Sequence, residues 1–126
     1  MSERLRDRLV LAAWTLAIFV GGSLKLPPAP IQPPTIGWDK FAHALGFFLT
    51  QRIAARALRH ESDGMGGSEV RVALMAALLA SLLGGLLEVY QAALPHRSAD
   101  IFDFIADVVG VAIAVLISVG RQRRAR

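Results

Sequence analysis

The sequence predicts an all-α protein, a single domain over residues 1–126 in which four membrane-spanning helices form a bundle. Hydrophobic residues make up 54% of the chain and charged residues 19%, against roughly 45–50% and about 25% in a typical soluble domain. The hydrophobic residues form four long runs, and most basic residues flank those runs. Long runs without alternation are typical of helices, which satisfy their own backbone groups inside a bilayer. The chain has no cysteine, which excludes disulfide and thiolate–metal frameworks.

The four apolar runs define the predicted helices, at about 9–26, 38–58, 70–94 and 100–120. Each run is close to the roughly 20 residues that a helix needs to cross about 30 Å of hydrocarbon. The second run is the least apolar, because charged residues lie at both of its ends. The first run also fits a secretory signal peptide, since arginines precede its apolar core.

The connections between the runs differ in composition. Residues 27–34 are rich in proline and predict an extended connector that cannot continue a helix. Residues 60–68 are rich in Gly and Ser and predict a flexible loop, which would include His60. The link at 95–99 is short, so the third and fourth helices are predicted to form an antiparallel hairpin.

The basic residues predict the orientation of the bundle. With both termini in the cytoplasm, 11 of the 14 Lys and Arg residues lie inside, and only Lys25, Lys40 and Arg97 lie outside. The positive-inside rule therefore predicts four spans with the N-terminus and the C-terminus both inside. The acids on the inner side, Asp7 among them, are interpreted as surface charges.

Polar groups collect where the second run begins, the third run ends and the fourth run begins, all at the predicted outer face. Spacings of three, four and seven residues place the members from each run on one helix face. The group consists of Asp39, Lys40, His43, Glu88, Gln91, Arg97, Asp100, Asp103 and Asp107. Asp107 lies about 10 Å along the helix from Asp100, at roughly 1.5 Å per residue. A carboxylate at such depth costs on the order of 2.5–3.5 kcal/mol, which favours a functional site that supplies a partner.

The candidate roles follow from side-chain chemistry. His43, Glu88 and Asp103 are the candidate catalytic residues. Carboxylates and an imidazole are also ligands of divalent cations, so a metal site is predicted at His43, Glu88, Asp100 and Asp103. The predicted binding residues are Asp39, Lys40, Gln91, Arg97, Asp100 and Asp107. Lys40 and Arg97 suit either counter-ions of the acids or ligands of an anionic head group, and Asp39 and Asp100 also suit helix N-caps.

Small residues predict close packing around these polar groups. Gly84 and Gly85 lie one turn before Glu88, Gly110 lies one turn after Asp107, and Gly46 follows Ala42 at a small-xxx-small spacing. Small side chains let membrane helices approach closely. We therefore expect the second, third and fourth helices to bring their polar groups together.

The ordered motifs resemble those of a known family. They are Asp39-Lys40-x-x-His43-x-x-x-Phe47, then Glu88-x-x-Gln91, then Arg97-Ser98-x-Asp100-x-x-Asp103-x-x-x-Asp107-x-x-Gly110. The pattern covers residues 38–116 and resembles the VanZ-like family of small bacterial membrane proteins. The resemblance implies a polytopic envelope protein related to teicoplanin resistance, and it implies no particular reaction. The family pattern often has Asn where this chain has Asp107.

Three functions are consistent with the sequence. The first is a binding or structural role, with membrane lipids or a lipid-linked cell-wall precursor as the partner. The second is a metal-assisted enzyme that modifies such a precursor, and the third is proton or cation movement through the buried acids. A homo-oligomer fits a chain this small, whereas nucleic acid is not expected as a partner, because the arginines lie at the ends of apolar runs.

Overall fold

A computed structural model of the protein describes residues 1–24, 37–62 and 68–124. These residues form four α-helices: α1 (Glu3–Ser23), α2 (Trp38–Ser62), α3 (Glu69–Ala92) and α4 (Ile101–Arg124). They contain no strand, which confirms the all-α class. The proline-rich connector at 27–34 and most of the predicted loop at 60–68 lie outside the described residues.

Three of the helices begin at a side chain that caps the first turn. Ser2 Oγ accepts a hydrogen bond from the backbone N–H of Leu5 at the start of α1, and Ser68 accepts one from Arg71 at the start of α3. At α4, Asp100 Oδ1 accepts from the backbone N–H of Phe102 at 2.8 Å. Such bonds satisfy donors that have no partner inside the helix, so the predicted capping role of Asp100 is confirmed.

Helix α2 lies at the centre of the bundle. It contacts α1, α3 and α4, whereas no contact joins α1 to α4 among the described residues. The core surrounds α2 in two clusters, one around Phe47 and Leu87 and the other around Ala54 and Ala76. Because the other helices cover α2, several of its polar side chains form hydrogen bonds inside the bundle. This position explains why the second run is the least apolar of the four.

Two glycines allow the close approach of helices next to the polar groups. A Cβ atom on Gly110 would overlap the backbone carbonyl of Ala44, so α4 lies directly against α2 at this point. A Cβ on Gly84 would lie 3.0 Å from Asp107 Oδ2 and 3.3 Å from the Phe47 ring. The packing role predicted for Gly46 is wrong, since no described atom of a neighbouring helix lies within 4 Å of the point that a Cβ on Gly46 would occupy.

Two of the described helices are long and apolar enough to cross a membrane, α3 over its full length and α4 over Ile101–Gln122. Helices α1 and α2 do not meet this criterion, because their described portions carry more charge. Only 39% and 22% of the apolar windows of α3 and α4 are buried within the protein. Along α3 the exposed residues include a stripe of leucines at a spacing of four, Leu74, Leu78, Leu82 and Leu86, and further apolar residues such as Met75 and Val89. Exposed apolar surface of this extent is typical of a contact with a membrane or with another protein.

Candidate functional site

The predicted polar residues lie at one end of the bundle, where α2 begins, α3 ends and α4 begins. His43 lies one turn into α2, Glu88 lies one turn before the end of α3, and Asp107 lies two turns into α4. The close contact at Gly110 holds α2 against α4, and the absent side chain of Gly84 leaves room for the Asp107 carboxylate. The local sequence therefore directs three ionisable side chains into one space.

His43, Glu88 and Asp107 form the centre of the site. One potential ligand atom from each residue lies within 4.8 Å of the other two. His43 Nδ1 and Asp107 Oδ1 are 2.8 Å apart, which is a short hydrogen bond. Asp107 is fully buried and Glu88 is 8% exposed. The three residues could hold a metal ion, since their oxygen and imidazole ligands are those that divalent cations use.

Two carboxylate oxygens in this centre lack a hydrogen-bond partner within the described part of the chain. They are Glu88 Oε1 and Asp107 Oδ2, and both are buried. The other oxygen of Glu88 accepts a hydrogen bond from the backbone N–H of Asp100 at 2.9 Å. Leaving a buried acceptor unsatisfied costs about 1–3 kcal/mol, and more when the group is charged. A cation between the carboxylates would satisfy both oxygens.

Lys40 and the other three acids of the predicted site form a second polar group beside this centre. The Nζ of Lys40 lies 2.8 Å from Asp103 Oδ1, 3.1 Å from Asp100 Oδ2 and 3.4 Å from Asp39 Oδ2. Lys40 is therefore the counter-ion of three carboxylates, one of the two roles predicted for it. Asp100 lies outside the apolar span Ile101–Gln122, and its pKa is lowered by the backbone N–H of Phe102 and by Lys40.

The predicted metal set therefore differs from the observed centre. His43 and Glu88 belong to both, but Asp107 takes the place of Asp100 and Asp103. Asp103 still reaches the rim of the centre, since its Oδ2 lies 3.6 Å from His43 Nε2. The physical reason is that Lys40 engages Asp100 and Asp103 from the start of α2, which leaves the deeper Asp107 to face the histidine.

Gln91 and Arg97, two of the predicted binding residues, hold the end of α1. Gln91 Nε2 donates to the backbone carbonyl of Gly22 at 3.2 Å, and Arg97 Nε donates to the same oxygen at 3.1 Å. His96 bonds the neighbouring carbonyl of Ser23 at 2.9 Å. The last carbonyls of a helix have no partner inside it, so these side chains satisfy α1 from outside. They do not join the acidic centre.

A second polar cluster lies at the opposite end of the bundle and was missed by the sequence interpretation. Asp7 is only 5% exposed, and its Oδ2 lies 3.0 Å from both Arg56 Nε and His60 Nε2. These bonds, that of His60 first and then that of Arg56, outweigh burial and lower the pKa of Asp7 to about 2. Asp7 is thus a buried partner rather than a surface charge, and His60 belongs to α2 rather than to a loop.

Buried polar groups also occupy the middle of α2. Trp14 Nε1 donates to Thr50 Oγ1 at 3.0 Å, and Gln51 Nε2 donates to the carbonyl of Ala73 at 3.2 Å. Thr50 and Gln51 are both fully buried. The signal that could have identified them is the low hydropathy in the middle of a run that is otherwise long enough for a span.

Comparisons with known proteins give no relative for this chain. No protein-family model, no curated protein and no solved structure matches it. The resemblance to VanZ-like proteins therefore stays a prediction.

Proposed function

We propose that this chain is a multi-pass protein of the bacterial plasma membrane whose outward-facing site binds a divalent cation and, through it, an anionic group of a lipid-linked cell-wall precursor. The observation that carries the proposal is the convergence of His43, Glu88 and Asp107 around two buried carboxylate oxygens without partners in the described structure. The resemblance to VanZ-like proteins supports a role at the cell envelope.

Membrane insertion is supported by the apolar surface of the bundle. Helices α3 and α4 have exposed apolar faces along their length, and the distribution of Lys and Arg favours both termini inside. In this proposal all four helices cross the bilayer, and α2 does so as the central, lipid-shielded span. The polar site then lies near the outer leaflet.

The orientation can be tested because the chain has no cysteine of its own. Single-cysteine variants Ser98→Cys and Gln122→Cys place one thiol at each predicted side. A membrane-impermeant maleimide added to intact spheroplasts should label Ser98→Cys alone, and both variants after lysis. Labelling of Gln122→Cys in intact spheroplasts would contradict the orientation.

A cation at this site would have room for an outside ligand. Three protein ligands leave coordination positions open on Mg²⁺, Mn²⁺ or Zn²⁺, and substrate phosphates commonly fill such positions. Lys40 is already engaged by three acids, and Arg97 donates to the end of α1 and does not join the acidic centre. The cation is therefore the better candidate for recognising an anionic head group.

The test of the proposal is calorimetric titration of the purified protein in detergent with Mn²⁺, Mg²⁺ and Zn²⁺. We expect the wild type to bind one of these ions, and Glu88→Gln and Asp107→Asn to lose at least about tenfold in affinity, because each removes a charged ligand. Glu69→Gln is the matched control, since Glu69 lies at the other end of α3 and pairs with Arg59 at 2.9 Å. Absence of binding by the wild type would refute the cation site.

One further variant distinguishes the centre seen in the structure from the metal site that the sequence predicted. Asp103→Asn removes a charge from the Lys40 group and leaves the centre of His43, Glu88 and Asp107 complete. Because Asp103 Oδ2 lies 3.6 Å from His43 Nε2 but supplies no ligand, we expect this variant to lose less ion affinity than the loss of about tenfold expected of Asp107→Asn. A loss of ion affinity as large as that of Asp107→Asn would instead indicate that the ion binds among the acids near Lys40.

One observation favours an enzyme as the second candidate function. The bond between His43 Nδ1 and Asp107 Oδ1 is of the kind that orients an imidazole as a general base. The test is release of phosphate from a lipid pyrophosphate in the presence of the bound ion. In this alternative His43 is the base and Glu88 and Asp107 hold the ion. Release that is lost in His43→Gln at an ion concentration that saturates the variant supports the enzyme, and ion binding without release supports the binding role.

A further inference from the structure

A cavity of about 550 Å³ lies at the end of the bundle opposite to the acidic centre. Residues from all four helices line it, and its wall on α2 is a row of arginines, Arg52, Arg56 and Arg59. Spacings of four and three residues place these arginines on one helix face. The apolar part of the lining consists of Ile53, Ala55, Val72 and Ala73. The cavity is therefore an open pocket with an apolar wall and a cationic wall.

The ion pairs around the cavity leave one of its arginines without an acid. Each of the three carboxylates in the lining already has a cation. The pairs are Glu3 with Arg6 at 3.9 Å, Asp7 with Arg56 at 3.0 Å and Glu69 with Arg59 at 2.9 Å. Arg52 has no carboxylate partner among the described residues. Once Arg6, which lies outside the lining, is counted as the partner of Glu3, Arg52 is the arginine of the lining whose charge no described carboxylate neutralises.

The guanidinium of Arg52 is held in place by a hydroxyl rather than by an acid. Its Nη1 donates to Ser118 Oγ at 2.6 Å, and this hydroxyl donates in turn to the carbonyl of Ala114 at 2.9 Å. A guanidinium has five N–H donors in a planar fork that matches phosphate oxygens. The bond to Ser118 uses one donor and leaves the others for a ligand in the cavity.

We propose that this cavity binds a phosphate group, with Arg52 as the residue that receives it. Arg56 and Arg59 lie along the same wall. Each is paired with a carboxylate, so they offer further N–H donors to a ligand but add no net charge. A phosphate ester on an apolar tail would also cover the apolar wall of the cavity. The site is separate from the cation centre at the other end of α2, so each proposal stands or fails without the other.

Two sources could supply a phosphate of this kind, an anionic lipid head group or a soluble phosphate. The charge distribution predicts that this end faces the cytoplasm, where anionic lipids attract juxtamembrane basic residues. Both sources present the same chemistry to Arg52. The experiment therefore uses two probes, short-chain phosphatidic acid for the lipid head group and inorganic phosphate for the soluble group.

The test is titration of the purified full-length protein in a neutral detergent with each probe. We expect the wild type to bind at least one probe and Arg52→Gln to bind it about tenfold or more weakly, as expected for a charged hydrogen bond. Arg121→Gln is the matched control, since it removes the same charge near the same end of the bundle from a residue outside the lining. It should change the affinity by less than about twofold.

Two further variants keep the test informative if Arg52→Gln folds poorly. Ser118→Ala retains the charge but removes the acceptor that positions it, and we expect binding to weaken roughly fivefold. Arg52→Lys retains the charge but loses the fork, and should bind more weakly than the wild type and more tightly than Arg52→Gln. Binding of phosphatidic acid alone identifies a lipid site, and binding of both probes identifies a general phosphate site. Failure of the wild type to bind either probe, or equal losses in Arg52→Gln and Arg121→Gln, would overturn the proposal.

Discussion

Neutralising Glu88 should have opposite effects on stability with and without a divalent cation. In the wild type without an ion, Glu88 Oε1 and Asp107 Oδ2 are buried acceptors without partners in the described structure. In Glu88→Gln the side-chain oxygen can still accept from the N–H of Asp100, and the new amide N–H₂ becomes a donor beside Asp107 and His43. The variant therefore removes one unsatisfied acceptor and supplies a partner to its neighbour.

The size of the effect follows from these two oxygens. Satisfying one buried acceptor is worth about 1–3 kcal/mol, so the ion-free variant should exceed the ion-free wild type in unfolding free energy by this amount. A saturating ion at about 1,000 times its Kd stabilises the wild type by about 4.1 kcal/mol, which exceeds the whole of this range, and the variant gains little because it has lost a ligand. The order of stability should thus reverse when the ion is added.

The assay is thermal unfolding followed by circular dichroism, first with a chelator and then with excess Mn²⁺. A difference of 1 kcal/mol corresponds to a shift in Tm of about 4 °C for a domain of this size, which is measurable. Glu69→Gln is the control and should respond to the ion as the wild type does. If Glu88→Gln lowers Tm equally in both conditions, Glu88 stabilises the fold without a cation and the reasoning fails.

Three further predictions concern the bundle around the site. Gly110→Ala should force α2 away from α4, lower the unfolding free energy by about 1–3 kcal/mol and abolish cation binding in calorimetry, whereas Gly46→Ala should do neither. The pKa of Asp7 is lowered from its usual value near 3.8 to about 2. The stability that the Asp7 carboxylate contributes is therefore complete above pH 3.8 and is lost as the pH falls through about 2. When Tm is measured against pH, this loss of stability should be absent in Asp7→Asn. Gln91→Ala should increase hydrogen exchange at the end of α1 and leave cation affinity within about twofold, since Gln91 bonds only that end.

The helices were predictable because their apolar runs are long. The positions of all four helices agree with the predicted runs to within a few residues, apart from the additional turns at the start of α1 and at the ends of α2 and α4. The central position of α2 was not predictable, because hydropathy measures the polarity of a segment and not what covers it. A helix surrounded by other helices can carry buried polar residues where they find partners, as Thr50 does with Trp14.

The members of the site were predictable to within one helical turn. Spacing along α4 places Asp103 and Asp107 on one face, but it does not tell which of them lies opposite His43. Lys40 decides this, because its ammonium reaches Asp103 at 2.8 Å and leaves Asp107 to the histidine. The Asp7 cluster could not be predicted at all, since it needs the angle at which α1 crosses α2, which no local pattern contains.

Asp107 is the residue on which the proposed function most depends. An Asn at this position would keep the acceptor for His43 Nδ1 and would replace the unpartnered Oδ2 with a donor. The centre would then need no cation to satisfy its hydrogen bonds, because the amide could donate to a neighbouring carboxylate oxygen. In the proposed site the second negative charge is therefore what leaves a buried oxygen for a cation to bind. We expect Asp107→Asn to be folded, at least as stable as the ion-free wild type, and unchanged in stability when Mn²⁺ is added.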